Sequence, residues 1–141
     1  MAKITPRQIV KDFENMRLEK WSQYEHITIA IHYAMSSNNP IELMGYIRCA
    51  FIRRGVVMNP TSTSKDCTER WNESKSWFWV NICFNLVKQN PTLILSKLVT
   101  LAHKKGYMDK NYIYQFYEAD FIDNTICRSI ISIEIKKESF T

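Results

Sequence analysis

The chain has 141 residues, of which 45% are hydrophobic and 13% aromatic, and a formal net charge of +5. That length fits one domain able to bury roughly two-thirds of its unfolded surface, so folding needs no disulfide or metal staple, and the composition excludes a disordered chain. Basic residues are dispersed, the densest groups being Arg53-Arg54, Lys104-Lys105 and Lys136-Lys137 with Glu134 and Glu138 among them, which argues for solvated faces and against a nucleic-acid stripe.

In chain order the punctuation marks helices. Thr5-Pro6-Arg7-Gln8 reads as an N-cap, a proline at the first helical position and a capping box, followed by Ile9, Phe13 and Met16 on one face. Ser22-x-x-Glu25 is a second capping box. It opens a stretch in which Ile27, Ala30, Ile31 and Ala34 recur at i, i+3, i+4 and i+7. Asn39-Pro40 opens a third helix carrying Met44, Ile47 and Phe51 inward, and Gly55 is placed to end it. Residues 56 to about 67 read as a loop rich in turn and capping residues.

A fourth helix is predicted from about Thr68 to Gln89, with Trp71, Phe78, Ile82 and Leu86 as its buried side. At 1.5 Å per residue it would be about 30 Å long, enough for the spine of a bundle. Asn90-Pro91 closes it and starts a fifth helix, with Ile94, Leu98 and Leu101 on one face and an end at Lys104-Lys105-Gly106. A shorter helix is expected from Asp109 to about Tyr117. The tail stays open between two readings, because Ile131-Ser132-Ile133-Glu134-Ile135 alternates like a strand while Ile126, Ile130 and Ile133 fit a helix face. A strand there would need a partner, which a second subunit could supply, so a homodimer is one outcome to test. The expected architecture is an all-α, single-domain bundle of five or six helices over residues 1–141.

Cys49, Cys67, Cys83 and Cys127 are far apart and form no C-x-x-C pair of the kind that metal knuckles use. The start of the chain carries no signal-peptide pattern, and no apolar run approaches the roughly 20 residues that span a bilayer. Four reduced thiols in a cytoplasmic protein, without membrane or nucleic-acid partners, are therefore expected.

Three places put polar groups in aromatic surroundings. In Trp21-Ser22-Gln23-Tyr24-Glu25-His26, Gln23 and His26 lie three apart and share a helix face. Arg70-Trp71-Asn72-Glu73-Ser74 runs into Trp77-Phe78-Trp79, and Arg48 sits within an apolar helix. A carboxylate held in a dry site tends to titrate higher, and an imidazole beside it holds its proton more easily, which is the raw material of acid–base chemistry. A lone His or Glu near a helix start, however, more often serves as a cap or on a solvated face.

These residues resemble a family of small helical bacterial proteins with the motifs W-[ST]-H-x-x-H-L-x-x-A and G-Y-H-E-T-[IL]-T-x-F-W. Here the first stands as Trp21 to Ala30 and the second as Arg70 to Trp79, with Arg48 in the place of an arginine of the middle helix. The resemblance covers roughly residues 18 to 120 and implies a pocket of imidazoles plus the glutamate. His26 and Glu73 match, while Gln23 and Asn72 stand in place of two histidines and Trp71 in place of a tyrosine. Gln and Asn keep hydrogen-bonding capacity but do not titrate and are poor transition-metal ligands, so neither a metal nor another cofactor is expected. No Gly-rich phosphate loop and no H-E-x-x-H motif is present.

The reading is a small-molecule enzyme, or a ligand-binding relative of one. His26 would be the acid or base and Glu73 its charge partner. Gln23 and Asn72 would orient a small-molecule ligand, Arg48 would hold an anionic group, and Trp71, Trp77 and Tyr24 would form walls. Packing of the second helix on the fourth should bring His26 within about 6 Å of Glu73 or Asn72, the range over which such groups shift one another's pKa. The rival reading is a protein–protein interaction module that kept the bundle and lost the site.

Overall fold

A computed structural model of the chain describes residues 4–53 and 72–119. Among them lie α1 (Pro6–Glu14), α2 (Gln23–Met35), α3 (Pro40–Arg53), α4 (Glu73–Gln89), α5 (Leu95–Lys104), a 3-10 turn over Tyr112–Gln115, and no strand. The fold is all-α. Gly55, the loop over 56–67, the expected helix start at Thr68–Trp71 and the tail from residue 120 onward lie outside the described residues, as do Cys67 and Cys127.

The predicted caps set the helix starts. Thr5 Oγ1 accepts from Gln8 N at 3.1 Å, with Pro6 at the first helical position, whereas the Gln8 side chain turns to Asp12 Oδ1 at 2.7 Å, leaving only half of the expected box. Glu25 accepts from the backbone N of Ser22 at 2.8 Å and from its hydroxyl. Asn39 Oδ1 accepts from Glu42 N at 2.9 Å. Each cap of this kind is worth about 1 kcal/mol.

Two helix ends use the left-handed region. Gly106 has φ +87 and follows α5; its N–H reaches His103 O at 3.1 Å and that of Tyr107 reaches Ala102 O at 3.0 Å, a Schellman closure. Met16 takes the same place after α1 at φ 58, with Arg17 N on Asp12 O at 2.7 Å. Met16 is therefore 75% exposed and past the end of the helix, which corrects its expected place on the buried face of α1.

α2 is the centre of the bundle and packs against α1, α3, α4 and α5. Residues Ile27 to Ile31 are buried without interruption, as a helix surrounded by neighbours requires. The main core joins Ile31, Leu43, Met44, Cys83, Leu86 and Leu98, all within a few per cent of complete burial. α1 closes one side through Ile9, Val10 and Phe13, and Arg53 of α3 ties it down by donating to Glu14 O at 3.0 Å with its guanidinium over Phe13. Phe78 and Ile82 of α4 meet Ile113, Phe116 and Tyr117 in a second, aromatic-rich cluster.

Three boundaries differ from expectation. α4 begins at Glu73 because Asn72 is its N-cap, extended at φ −126 and ψ 107, with Oδ1 accepting from Lys75 N at 3.0 Å. Asn90-Pro91 starts no helix: Leu93 N bonds back to Asn90 O at 3.2 Å across Pro91, a turn, and α5 starts only at Leu95. Ile94 is then the cap residue and lies exposed, not on the buried face with Leu98. The stretch after Asp109 is a single 3-10 turn, since Asp109 Oδ1 takes Asn111 N at 2.9 Å and offers the backbone an alternative to helix. No helix among the described residues is long and apolar enough to cross a membrane.

Candidate functional site

Three helical stripes converge on one cavity of about 210 Å³. From α2 come Gln23, His26, Ile27 and Ala30, spaced i, i+3, i+4 and i+7. The first two turns of α4 with its cap supply Asn72, Lys75, Ser76, Trp79 and Val80 at the same spacing. α3 adds Ile47 and Phe51, one turn apart, and Lys110 stands at the rim. The lining joins the apolar side chains of Ile27, Ala30, Ile47 and Val80 with a few polar groups, a common composition for small-molecule sites.

Each polar side chain is fixed by local chemistry. Gln23 Nε2 donates to Tyr107 O at 3.0 Å, which ties the start of α2 to the Schellman turn that ends α5. His26 is held between rings: its centroid is 4.4 Å from that of Trp21 and 5.2 Å from that of Phe51, and Trp21 stacks on Phe13 at 5.7 Å. Its Nε2 is shut off from solvent. Asn72 Oδ1 accepts from Lys75 N at 3.0 Å as the cap of α4, which fixes its side chain at the start of that helix. Lys75 Nζ donates to Tyr114 Oη at 2.8 Å and lies 5.0 Å from the centre of that ring.

Glu73 does not line the cavity. Its Oε2 accepts from Arg48 Nη2, in an ion pair between α3 and α4, and from Trp77 Nε1 at 2.9 Å. Arg48 Cζ lies 5.9 Å from the centre of the Trp77 ring, so the three side chains form one clamp across the two helices. The anion expected for Arg48 is thus the protein's own carboxylate, and Trp77 serves as a hydrogen-bond donor in that clamp, not as a wall of the cavity. Tyr24 faces a separate groove with Leu18, Arg17 and Glu25, where burial and then the Glu25 charge raise its phenol above the usual range. Trp71 lies outside the described residues.

The structure therefore brings Gln23, His26 and Asn72 to one cavity and assigns Glu73, Arg48 and Trp77 to another task. Lys75, Ser76 and Trp79 escaped the sequence reading, although their spacing from Asn72 was a signal that could have found them. Lys110 had none, because a turn outside the helices brings it there. Among the described residues no three His, Cys, Asp or Glu side chains come together as a metal site would need. Comparison of the chain with family models, curated proteins and solved structures finds no match.

Proposed function

We propose that the protein binds a small organic molecule in the α2–α3–α4 cavity, with His26 among the residues that line it. The observation that carries this reading is that Gln23, His26 and Asn72 line one cavity together with Ile27, Ala30, Ile47 and Val80. The volume supports it too: about 210 Å³ exceeds the roughly 150 Å³ of an apolar cavity that accepts benzene. Glu73 acts here as a positioning residue, holding the first turn of α4 and with it Asn72 through Arg48. Ligand-observed NMR with benzyl alcohol tests the reading. Binding to the native chain that Ala30→Leu abolishes supports it, and binding unaffected by that substitution, or none, contradicts it.

One observation favours a second reading, the interaction module. Ile41, Cys49 and Ile52 are exposed along the outer face of α3, with Gly45 between them. A stripe of that kind suits a helix-packing partner. Concentration-dependent self-association by sedimentation velocity, abolished by Ile52→Asp, would favour it; a monomer throughout would count against self-association through that face.

A further inference from the structure

We infer that the outer face of α3 takes a second copy of this chain, packed antiparallel about a two-fold axis beside residue 47. The inference rests on the second reading above, the interaction module, and adds the partner and its orientation. It leaves the cavity, on the inner side of the helix, untouched. Large apolar side chains stand in solvent on this face: Ile41 is 75% and Ile52 57% exposed, with Gly45 and Cys49 exposed between them. Burial of Leu43, Met44, Ile47 and Ala50 on the opposite side fixes which way the face points.

The face matches itself when reversed. Ile41 and Ile52 are eleven residues apart, and so are Glu42 and Arg53. Eleven residues make close to three whole turns, so each pair stands on one line along the helix, with Glu42 and Arg53 on one flank of the apolar stripe. A two-fold axis across the helix turns that flank onto the same flank of the other copy, and makes residue i meet j wherever j meets i. Ile41 of each copy then meets Ile52 of the other, and Glu42 of each meets Arg53 of the other. A parallel pair would set Glu42 against Glu42 and Arg53 against Arg53, which repel. Arg53 Nη2 donates to Glu14 O at 3.0 Å, and a guanidinium carries five donors, so that bond is compatible with a second acceptor. On the other flank Arg48 approaches its own copy with its charge already paired to Glu73.

The centre of the face suits close approach. In the antiparallel arrangement Gly45 of each copy faces Cys49 of the other, so no bulky side chain holds the helices apart. Glycine inside a helix destabilises it relative to alanine. Neither a positive φ nor a close neighbour among the described residues calls for glycine at position 45, where an added Cβ meets nothing within 4 Å. A helix crossing supplies the reason for it. One helix face per copy falls below the standard size of a stable interface, so the dimer is reversible and forms at high protein concentration.

The test is sedimentation velocity of the full chain over a concentration series under reducing conditions, followed by disulfide mapping. The native chain should self-associate reversibly. Gly45→Leu should abolish association without lowering Tm, since the single chain has room for the side chain and leucine is the better helix former. Glu42→Arg should weaken association about tenfold at low ionic strength, because two attractive pairs become repulsive, and the difference should shrink as salt is raised. Under mild oxidation Gly45→Cys should give a covalent dimer whose disulfide joins position 45 of one copy to Cys49 of the other. Association that survives Gly45→Leu, or disulfides that join like positions, overturns the antiparallel arrangement, and loss of association in Ile52→Asp then still upholds the α3 face. A native chain that stays monomeric at every concentration overturns both.

Discussion

Replacing Ala30 by Leu should stabilise the protein and block its cavity at the same time. Ala30 is 6% exposed on α2 and borders the cavity, so the three added carbons have space to enter. Burying one methylene in existing space contributes about 0.8 kcal/mol. Because the cavity is partly open, about half of the resulting sum is realistic, near 1 kcal/mol. For a chain of this size that corresponds to a rise in Tm of about 2–4 °C. Were the interior already filled, the same substitution would overpack it and cost about 1–3 kcal/mol. The sign alone therefore decides. Urea unfolding monitored by circular dichroism, with an unchanged m-value, gives the answer. A net loss of stability would refute the cavity, as overpacking predicts.

Met16→Gly should raise stability by about 0.5–1 kcal/mol in the same assay, because only glycine occupies φ 58 without steric cost and the Met16 side chain is largely in solvent. Glu73→Gln should lower stability by about 1–2 kcal/mol, discounted for the solvent screening of Arg48, since an amide still accepts from Trp77 but no longer pairs with the guanidinium; a neutral outcome would show that the clamp holds nothing. Burial pushes the Cys83 thiol up from 9.0 to about 12. Its folded form thus stays protonated where the unfolded chain ionises, and stability should fall as pH rises above about 9, by up to about 1.4 kcal/mol per unit, levelling off near 12. Tyr33, Tyr107 and Tyr112, also raised by burial, act in the same direction. A Cys83→Ala variant should show a shallower alkaline slope, and an unchanged slope would contradict the assignment.

The helical class was legible because its starting signals are local. Thr5, Ser22 with Glu25, and Asn39 each satisfy backbone N–H groups within four residues, so the sequence carries their function openly. Met16 and Ile94 were misplaced for the converse reason: periodicity runs on past a helix end, and only the geometry of the turn shows where the backbone leaves the helix. At the site, Gln23 and His26 shared a visible face, and the second stripe was passed over because Asn72, read early in a helix begun at Thr68, was paired with its neighbour Glu73 as a ligand group. Asn72 is the cap of α4, and Lys75, Ser76 and Trp79 lie at helical spacing from it on the same side of the cavity lining. The partner of Glu73 could not be read from spacing, since Arg48 lies 25 residues away on another helix and the pairing exists only through packing.

The most direct measurement is of intermolecular nuclear Overhauser effects from the ring protons of bound benzyl alcohol. The cavity account predicts contacts with the methyl groups of Ile27, Ala30, Ile47 and Val80, lost on substitution of Ala30 by Leu. Contacts confined to the groove of Leu18 and Tyr24, or to Ile41 and Ile52 on the outer face of α3, would contradict it.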